Sequence, residues 1–288
     1  MSTSLCQARN PFACAGTSRY DSSMHASPPV ALTIAGSDCS SGAGIQADLK
    51  TFQHFRVHGL TAITCIVSET ANIVRAVSPV PVEIVADQIS LMLRDFPVAA
   101  IKTGMLFSAA HIEAVMDILK NHPDIPLVVD PVMIASTGAS LLEEDAVSAY
   151  HELVLPRATV ITPNLPEAEA LAGVKIPDLT EMETVAKKLA ARFRTAVLLK
   201  GGHLDSDECL DFLTDAEGNE SVFTADRLKL PGSHGTGCTF SAAIAARLAL
   251  GDDLPAAVGN AKTYLTETLR TSYTIDAIHA LNQGTLPF

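Results

Sequence analysis

The chain has 288 residues, 48% of them hydrophobic, 18% charged and 5% aromatic, a balance that suits one large domain or two small ones with a core needing no covalent staples. Thirty-two carboxylates against 20 lysines and arginines leave a formal charge of -12, which argues against a nonspecific grip on nucleic-acid phosphates. No apolar run reaches the roughly eighteen residues of a membrane span, so neither nucleic acid nor membrane is an expected partner.

Residues 1–29 stand apart: rich in serine and alanine, with Arg9, Arg19 and one acid, Asp21, and without hydrophobic period. This segment is expected not to fold. Its composition allows a transit peptide, but the preferred reading is a dispensable tail with Met24 as the natural initiator. Six cysteines, at positions 6, 14, 39, 65, 209 and 238, form no Cys-x-x-Cys pair and read as reduced thiols of a cytoplasmic protein.

From Val30 onward, predicted strands at Val30–Ala35, Leu60–Val67, Ala99–Thr103, Leu127–Asp130, Val160–Thr162 and Ala196–Lys200 alternate with predicted helices. The helices lie at Gly44–Arg56, Val82–Asp95, Ala109–Asn121, Leu142–Val154, Pro166–Gly173 and Thr180–Arg194. In the first, Ile45, Leu49 and Phe52 recur at i, i+4 and i+7. This alternation predicts an α/β fold with a mostly parallel sheet covered on both faces. After Gly201 the pattern changes to Cys209–Thr214, Ser221–Thr224 and Arg227–Leu230, read as an antiparallel margin with a turn at Glu217-Gly218-Asn219. Two helices follow: the alanine-rich Gly237–Leu250, and Leu254–Arg270, whose stripe of Leu254, Val258, Ala261, Leu265 and Leu269 faces either core or partner. Residues 30–288 read as a single domain.

In open parallel sheets, ligands bind beyond the carboxyl ends of the strands. The first strand runs into Gly36-Ser37-Asp38-Cys39-Ser40-Ser41-Gly42-Ala43-Gly44, a glycine-rich turn into a helix. It lacks the spacing of dinucleotide and phosphate loops, so alone it reads equally as a tight turn. A second glycine-lined turn, Pro231-Gly232-Ser233-His234-Gly235-Thr236-Gly237-Cys238-Thr239, precedes the alanine-rich helix. Backbone N–H groups at such a helix start, uncluttered at Gly235 and Gly237, make an anion hole. The same field predicts a depressed pKa for Cys238, as base or polar contact; otherwise it is a small packed residue. Thr162-Pro163-Asn164-Leu165-Pro166-Glu167 sets Asn164 and Glu167 one turn apart, suited to a hydrated Mg²⁺, to helix capping, or to both. Asp130-Pro131-Val132-Met133, Lys102-Thr103-Gly104-Met105 and Lys200-Gly201-Gly202-His203 add a carboxylate and two cations after strands. No histidine spacing suggests zinc.

Taken in order, AGSDCSSGAGIQADLKTF, IKTGM, VVDPVM, ITPNLPEAE, LLKGGH and HGTGCTFSAAIA resemble the ribokinase superfamily, and more narrowly the hydroxymethylpyrimidine/phosphomethylpyrimidine kinases of thiamin biosynthesis, over about residues 30–270. The resemblance implies a ribokinase-like three-layer α/β/α fold and transfer of the ATP γ-phosphate to 4-amino-5-hydroxymethyl-2-methylpyrimidine and then to its monophosphate. It implies that Gly36, Ala43, Val67, Met105 and Val132 wall the pyrimidine pocket, with Asp48 a polar member of its lid or phosphate shell. It also implies an anion hole at Gly235, Gly237 and Cys238, with Thr236 among the nucleotide contacts. Asn164 and Glu167 would serve Mg²⁺, Lys200 would lie near the nucleotide, and the assembly would be a homodimer. Phosphoryl transfer needs positioning and charge neutralisation above all, in keeping with these residue types.

Two positions depart from that pattern. Ser41 stands where a glycine pair is usual, and Glu69 stands where a glutamine would read the pyrimidine. A 4-aminopyrimidine offers a donor beside an acceptor, whereas an ionised carboxylate only accepts. Binding by Glu69 therefore requires a proton on the ring nitrogen or on Glu69, at about 1.4 kcal/mol per pKa unit of mismatch. The alternatives are a pyridoxal or pyridoxine kinase of the same fold, or a catalytically idle pyrimidine-binding sensor. The intact Gly235-Thr236-Gly237-Cys238 turn disfavours the sensor.

Overall fold

The computed structural model describes residues 27–132, 144–202, 208–232 and 234–284. The expectation for the tail therefore falls almost wholly outside the described residues, as do Met133, Ser233, His203 and the start of the helix predicted at Leu142. The chain runs β1 (Val30–Asp38), α1 (Gly44–His54), β2 (His58–Thr70), β3 (Ile73–Pro79), α2 (Val82–Asp95), β4 (Val98–Thr103), α3 (Ala109–Leu119) and β5 (Leu127–Val129). It continues with α4 (Glu144–Ala149), β6 (Val160–Ile161), α5 (Leu165–Ala172), α6 (Leu179–Phe193), β7 (Ala196–Lys200), β8 (Glu208–Thr214) and β9 (Glu220–Asp226). Helices α7 (Thr236–Ala249) and α8 (Leu254–Arg270) and the hairpin β10 (Tyr273–Ile275) and β11 (Ile278–Ala280) close it.

Among the described residues, nine strands form one sheet in the order β3-β2-β1-β4-β5-β6-β7-β8-β9. The strands from β2 to β7 pair in parallel, while β3, β8 and β9 pair antiparallel. The side-chain period of two sends successive residues to opposite layers. Val30, Leu32, Ile34, Leu127, Val129, Val197 and Leu199 pack with α2, α3, α5 and α6, whereas Ala31, Val128, Val160, Ala196 and Leu198 pack with α1, α7 and α8. Helix α7 presents Ala242, Ala243, Ala245 and Ala246, all fully buried. Such small side chains let its backbone lie close to the sheet and to α8, and its first turn comes near the strand ends. On α8, Val258, Ala261 and Tyr264 are buried, so that stripe faces the core.

Three expectations change. The antiparallel margin exists at both edges, because β3 folds back on β2 as an exposed strand whose Arg75 and short run obscure its alternation. Arg227–Leu230 is not a strand: the sheet ends at β9, and this Arg-Leu-Lys-Leu stretch lies along a cleft, with Leu228 and Leu230 on its wall. The hairpin of β10 and β11 was not foreseen; it returns the chain to the core, where Leu281 and Gln283 are buried.

Sequence order reverses direction at β1, since β2 lies on one side of it and β4 on the other. A crevice at the carboxyl ends is the geometric consequence. Beneath it lies a buried ion pair. Lys102 Nζ donates to Asp48 Oδ1 and Oδ2 at 2.7 and 2.8 Å, and Thr33 Oγ1 donates to Asp48 Oδ2 at 2.6 Å. Burial opposes the Lys102 charge, but the Asp48 carboxylate outweighs it and holds the ammonium above its ordinary pKa. Removing one partner of such a pair strands the other without water. Lys102→Met or Asp48→Asn alone is expected to lower unfolding free energy by about 3–5 kcal/mol in urea titrations. Lys102→Met combined with Asp48→Leu should recover most of that loss, and stability equal to the parent in either single variant would refute the assignment.

Candidate active site

The strand ends open into a cleft of 490 Å³. Gly36 comes from β1, Val67 and Glu69 from β2, Met105 follows β4, Asp130 and Val132 follow β5, and Lys200 ends β7. Gly235, Thr236, Gly237 and Cys238 close it from α7, with Ala43, Asn164 and Glu167 also on its wall. Nearly every position expected from the sequence therefore shares one cavity, and the two glycine-rich turns converge there. Asp48 is the exception: it is fully buried and its carboxylate is spent on Lys102 and Thr33, so Lys102 reaches the cleft wall and Asp48 supports it from behind.

The turn after β1 is organised around its own carboxylate. Asp38 accepts from Ser40 N–H at 2.7 Å, Ala43 N–H at 2.8 Å, Gly42 N–H at 3.1 Å and His234 Nε2 at 3.0 Å. Burial opposes ionisation of Asp38, but His234, Ser40 and Ala43 prevail and hold it far below the usual carboxylate range. The imidazole is correspondingly raised by that bond, against burial, and ties the first turn to the second. The N–H groups of Ser40, Gly42 and Ala43 are thus spent on Asp38. The helix start that lines the cleft belongs to the other turn.

Gly235 precedes α7 with φ of 81° and supplies no side-chain cap. The first-turn N–H groups of a helix have no intrahelical acceptor, and their dipole favours an anion. Around this point stand Lys200 and Asp130, whose Nζ and Oδ2 lie 3.4 and 3.5 Å from where a Cβ on Gly237 would be. Lys200 Nζ and Asp130 Oδ1 are 3.3 Å apart, and Thr162 and Ser241 hydroxyls also approach Asp130 at 3.3 Å. Burial works against the Lys200 charge, but Asp130 and Glu167 raise its pKa overall.

Asn164 and Glu167 form a reciprocal capping box on α5: Glu167 N–H donates to Asn164 Oδ1 at 2.9 Å, and Asn164 N–H donates to Glu167 Oε2 at 2.8 Å. The capping reading is realised, and Asn164 spends its carbonyl oxygen on it. Burial and the nearby Asp130 push the Glu167 carboxyl up to about 7 despite Lys200 and the Asn164 N–H. One ammonium does not neutralise two buried carboxylates, so this corner has room for further positive charge. No group of three or more His, Cys, Asp or Glu side chains suited to a metal occurs among the described residues, so any ion here would draw on phosphate oxygens and water.

The expected thiolate at Cys238 is corrected. Burial is the largest influence and pushes the thiol up to about 11; Lys102 opposes it, while Asp130 and Asp48 add to it. Burial of the thiol outweighs the field of the helix start, so Cys238 is a neutral wall of the pocket. Near the mouth, burial and Asp38 raise the Glu69 carboxyl, with His234 opposing.

A second cleft of 410 Å³ shares Asn164, Lys200, Thr236 and Gly237 with the first. Leu228, Leu230, Phe240, Leu265 and Leu269 give it an apolar wall, and Lys262 pairs with Asp211 at 2.6 Å beneath. Sequence reasoning missed this chamber because its walls come from a stretch read as a strand and from a helix face read only as core or interface. It also missed Asp38 and His234, whose partnership spans 196 positions.

Two chambers joined at a helix start, with a lysine and two carboxylates at the junction, on an open α/β sheet of this order, make a geometry suited to phosphoryl transfer. Comparison with known proteins narrows it. The sequence profile of the phosphomethylpyrimidine kinase family matches residues 38–282. The hydroxymethylpyrimidine/phosphomethylpyrimidine kinase of Haemophilus influenzae is 44% identical over 256 residues, 88% of this chain and 92% of that protein. Its namesake from Rhizobium meliloti is 45% identical over 237 residues, 82% and 88% of the two chains. Among solved structures, Bacillus subtilis pyridoxal kinase in an ADP complex superposes with a TM-score of 0.82 at 37% identity, covering 88% of this chain and 97% of that one. Phosphomethylpyrimidine kinase from Clostridium difficile gives 0.73 at 39% identity, covering 83% and 98%. The chain belongs to the phosphomethylpyrimidine kinase family, and it is a kinase.

Glu69 gives a signed pH dependence. Lower pH populates its protonated form, which can donate to a ring nitrogen, so KM for a 4-aminopyrimidine should fall as pH drops toward the raised pKa of Glu69. The amide of Glu69→Gln donates at every pH and should flatten that slope. Superimposable KM curves for the two proteins would retire the assignment.

Proposed function

We propose that the protein transfers the γ-phosphoryl group of ATP to the hydroxymethyl group of 4-amino-5-hydroxymethyl-2-methylpyrimidine, and subsequently to the monophosphate, in thiamin biosynthesis. The observation that carries this reading is the junction itself: Gly36, Met105 and Val132 in one chamber and an apolar second chamber meet at Gly237 and Lys200. The first chamber would take the flat pyrimidine against Val67, Met105 and Val132, with Glu69 at its polar edge. The second would take the nucleotide base against Leu228, Leu265 and Leu269, leaving the phosphates to run toward Lys200, Thr236 and Gly237.

In the transfer, the bond from the hydroxymethyl oxygen to the γ-phosphorus forms as the bond to the bridging oxygen of ADP breaks. Lys200 and the N–H groups of Gly235, Gly237 and Cys238 would face the charge carried by the transferred group, pre-oriented by the fold. The neutral Cys238 thiol shapes the pocket beside the acceptor alcohol, whose proton leaves late in the transfer and passes to an oxygen of the transferred phosphoryl group. Glu167, which keeps one carboxylate oxygen outside its capping box, and Asp130 are the residues that would hold Mg²⁺. When bound, the ion would neutralise phosphate charge. A cytoplasmic homodimer accompanies this reading on the strength of family resemblance.

ADP release measured across a panel of hydroxymethylpyrimidines, their monophosphates and vitamin B6 alcohols tests the substrate. The highest kcat/KM is expected for the aminopyrimidine, and a clear preference for pyridoxal or pyridoxine would overturn the reading. Cys238→Ala is expected to lower kcat about tenfold, through misplacement of the acceptor, with a smaller change in KM. An unchanged kcat would reduce Cys238 to packing.

A further inference from the structure

The carboxyl-terminal segment supplies a side chain to the junction of the two glycine-rich turns. Gln283 lies one residue beyond the part of the chain matched by the family profile and is 1% exposed. Its Nε2 donates to the Gly42 carbonyl at 3.0 Å and to Thr239 Oγ1 at 3.1 Å. Thr239 Oγ1 in turn donates to the Gly235 carbonyl at 2.8 Å. One amide thus reaches the first turn directly and the second through a fully buried hydroxyl. The Gln283 backbone is itself anchored, since Tyr264 of α8 donates its hydroxyl to the Gln283 carbonyl at 2.8 Å.

We infer that Gln283 is a positioning residue for phosphoryl transfer: it sets the spacing between the acceptor-side turn at Gly42 and the anion-binding turn at Gly235. The chemistry of the amide fits the task. A neutral NH₂ has two hydrogens, and here two acceptors face it. The Gly42 carbonyl faces the contact between the turns, while the Gly235 carbonyl accepts from both the N–H and the hydroxyl of Thr239 at the start of α7. The Asp38–His234 bond and the Gly44 N–H bond to Cys238 tie the same two turns at other points, and Gln283 adds a tie at the Gly42 carbonyl, so the three together fix their relative position. Nothing in the carboxyl-terminal sequence marks this role, because Gln283 is 241 positions from Gly42.

The inference rests on the proposed reaction for its kinetic readout, and a second readout is independent of substrate. Gln283→Met keeps the volume and removes both donors. It is expected to lower kcat about tenfold while KM for ATP and the aminopyrimidine stays within about twofold, the signature of a misaligned transfer. Thr239→Val should lower kcat in the same direction, and Thr239→Ser, which restores the hydroxyl, should return it. The double variant Gln283→Met with Thr239→Val should be no worse than the poorer single variant, since both act through one relay. Amide hydrogen exchange should accelerate at Gly42–Gly44 and Gly235–Cys238 in Gln283→Met, and not in α2 or α3, whatever the substrate. A parent protein that fails to turn over the aminopyrimidine would overturn the substrate reading and leave the exchange result to judge Gln283. Unchanged exchange at both turns, an unchanged kcat in Gln283→Met, or additive losses in the double variant would overturn the inference. If Gln283→Met does not fold, equal activity of Thr239→Val and Thr239→Ser overturns it as well.

Discussion

At the mouth of the cleft the Gly42 carbonyl oxygen lies 1.9 Å from where a Cβ on Gly235 would be. Only glycine admits that approach, and only glycine adopts the left-handed backbone of Gly235 without strain. This contact is what makes two distant turns into one site. Because the turns touch, His234 reaches Asp38, Gln283 reaches both sides, and the start of α7 points into the chamber framed by β1, β2 and β4. An alanine-rich α7, which approaches the sheet closely, is the packing condition for the contact.

The electrostatics follow from the same geometry. The site holds two lysines, each answered by a carboxylate: Lys102 by Asp48 beneath the floor, Lys200 by Asp130 at the junction. Glu167 is the surplus carboxyl, raised chiefly by its burial and further by Asp130. Cys238 sits among these nearly balanced charges, and burial decides its protonation. A helix start alone is therefore not enough to make a thiolate; the field must exceed the loss of hydration. The enzyme is arranged to position and neutralise phosphate rather than to generate a strong base, which agrees with the demands of phosphoryl transfer.

The order of strands and helices, the buried parallel character of the sheet and the residues that cap its strands follow from the sequence by itself, since hydrophobic period and turn chemistry are local properties. Ile45, Leu49 and Phe52 announce α1, the Asn164–Glu167 spacing announces the start of α5, and the two glycine-rich turns announce close backbone approach. Only the tertiary structure decided which N–H groups serve Asp38 and which face the cleft, that Asp48 turns inward to Lys102, that Arg227–Leu230 lines a chamber instead of extending the sheet, and that Gln283 returns to the junction. Each of these is a pairing across a long stretch of chain or a competition between burial and charge. Neither leaves a periodic trace, because the energy of such a contact depends on where the partner finally lies and how much water is excluded around it.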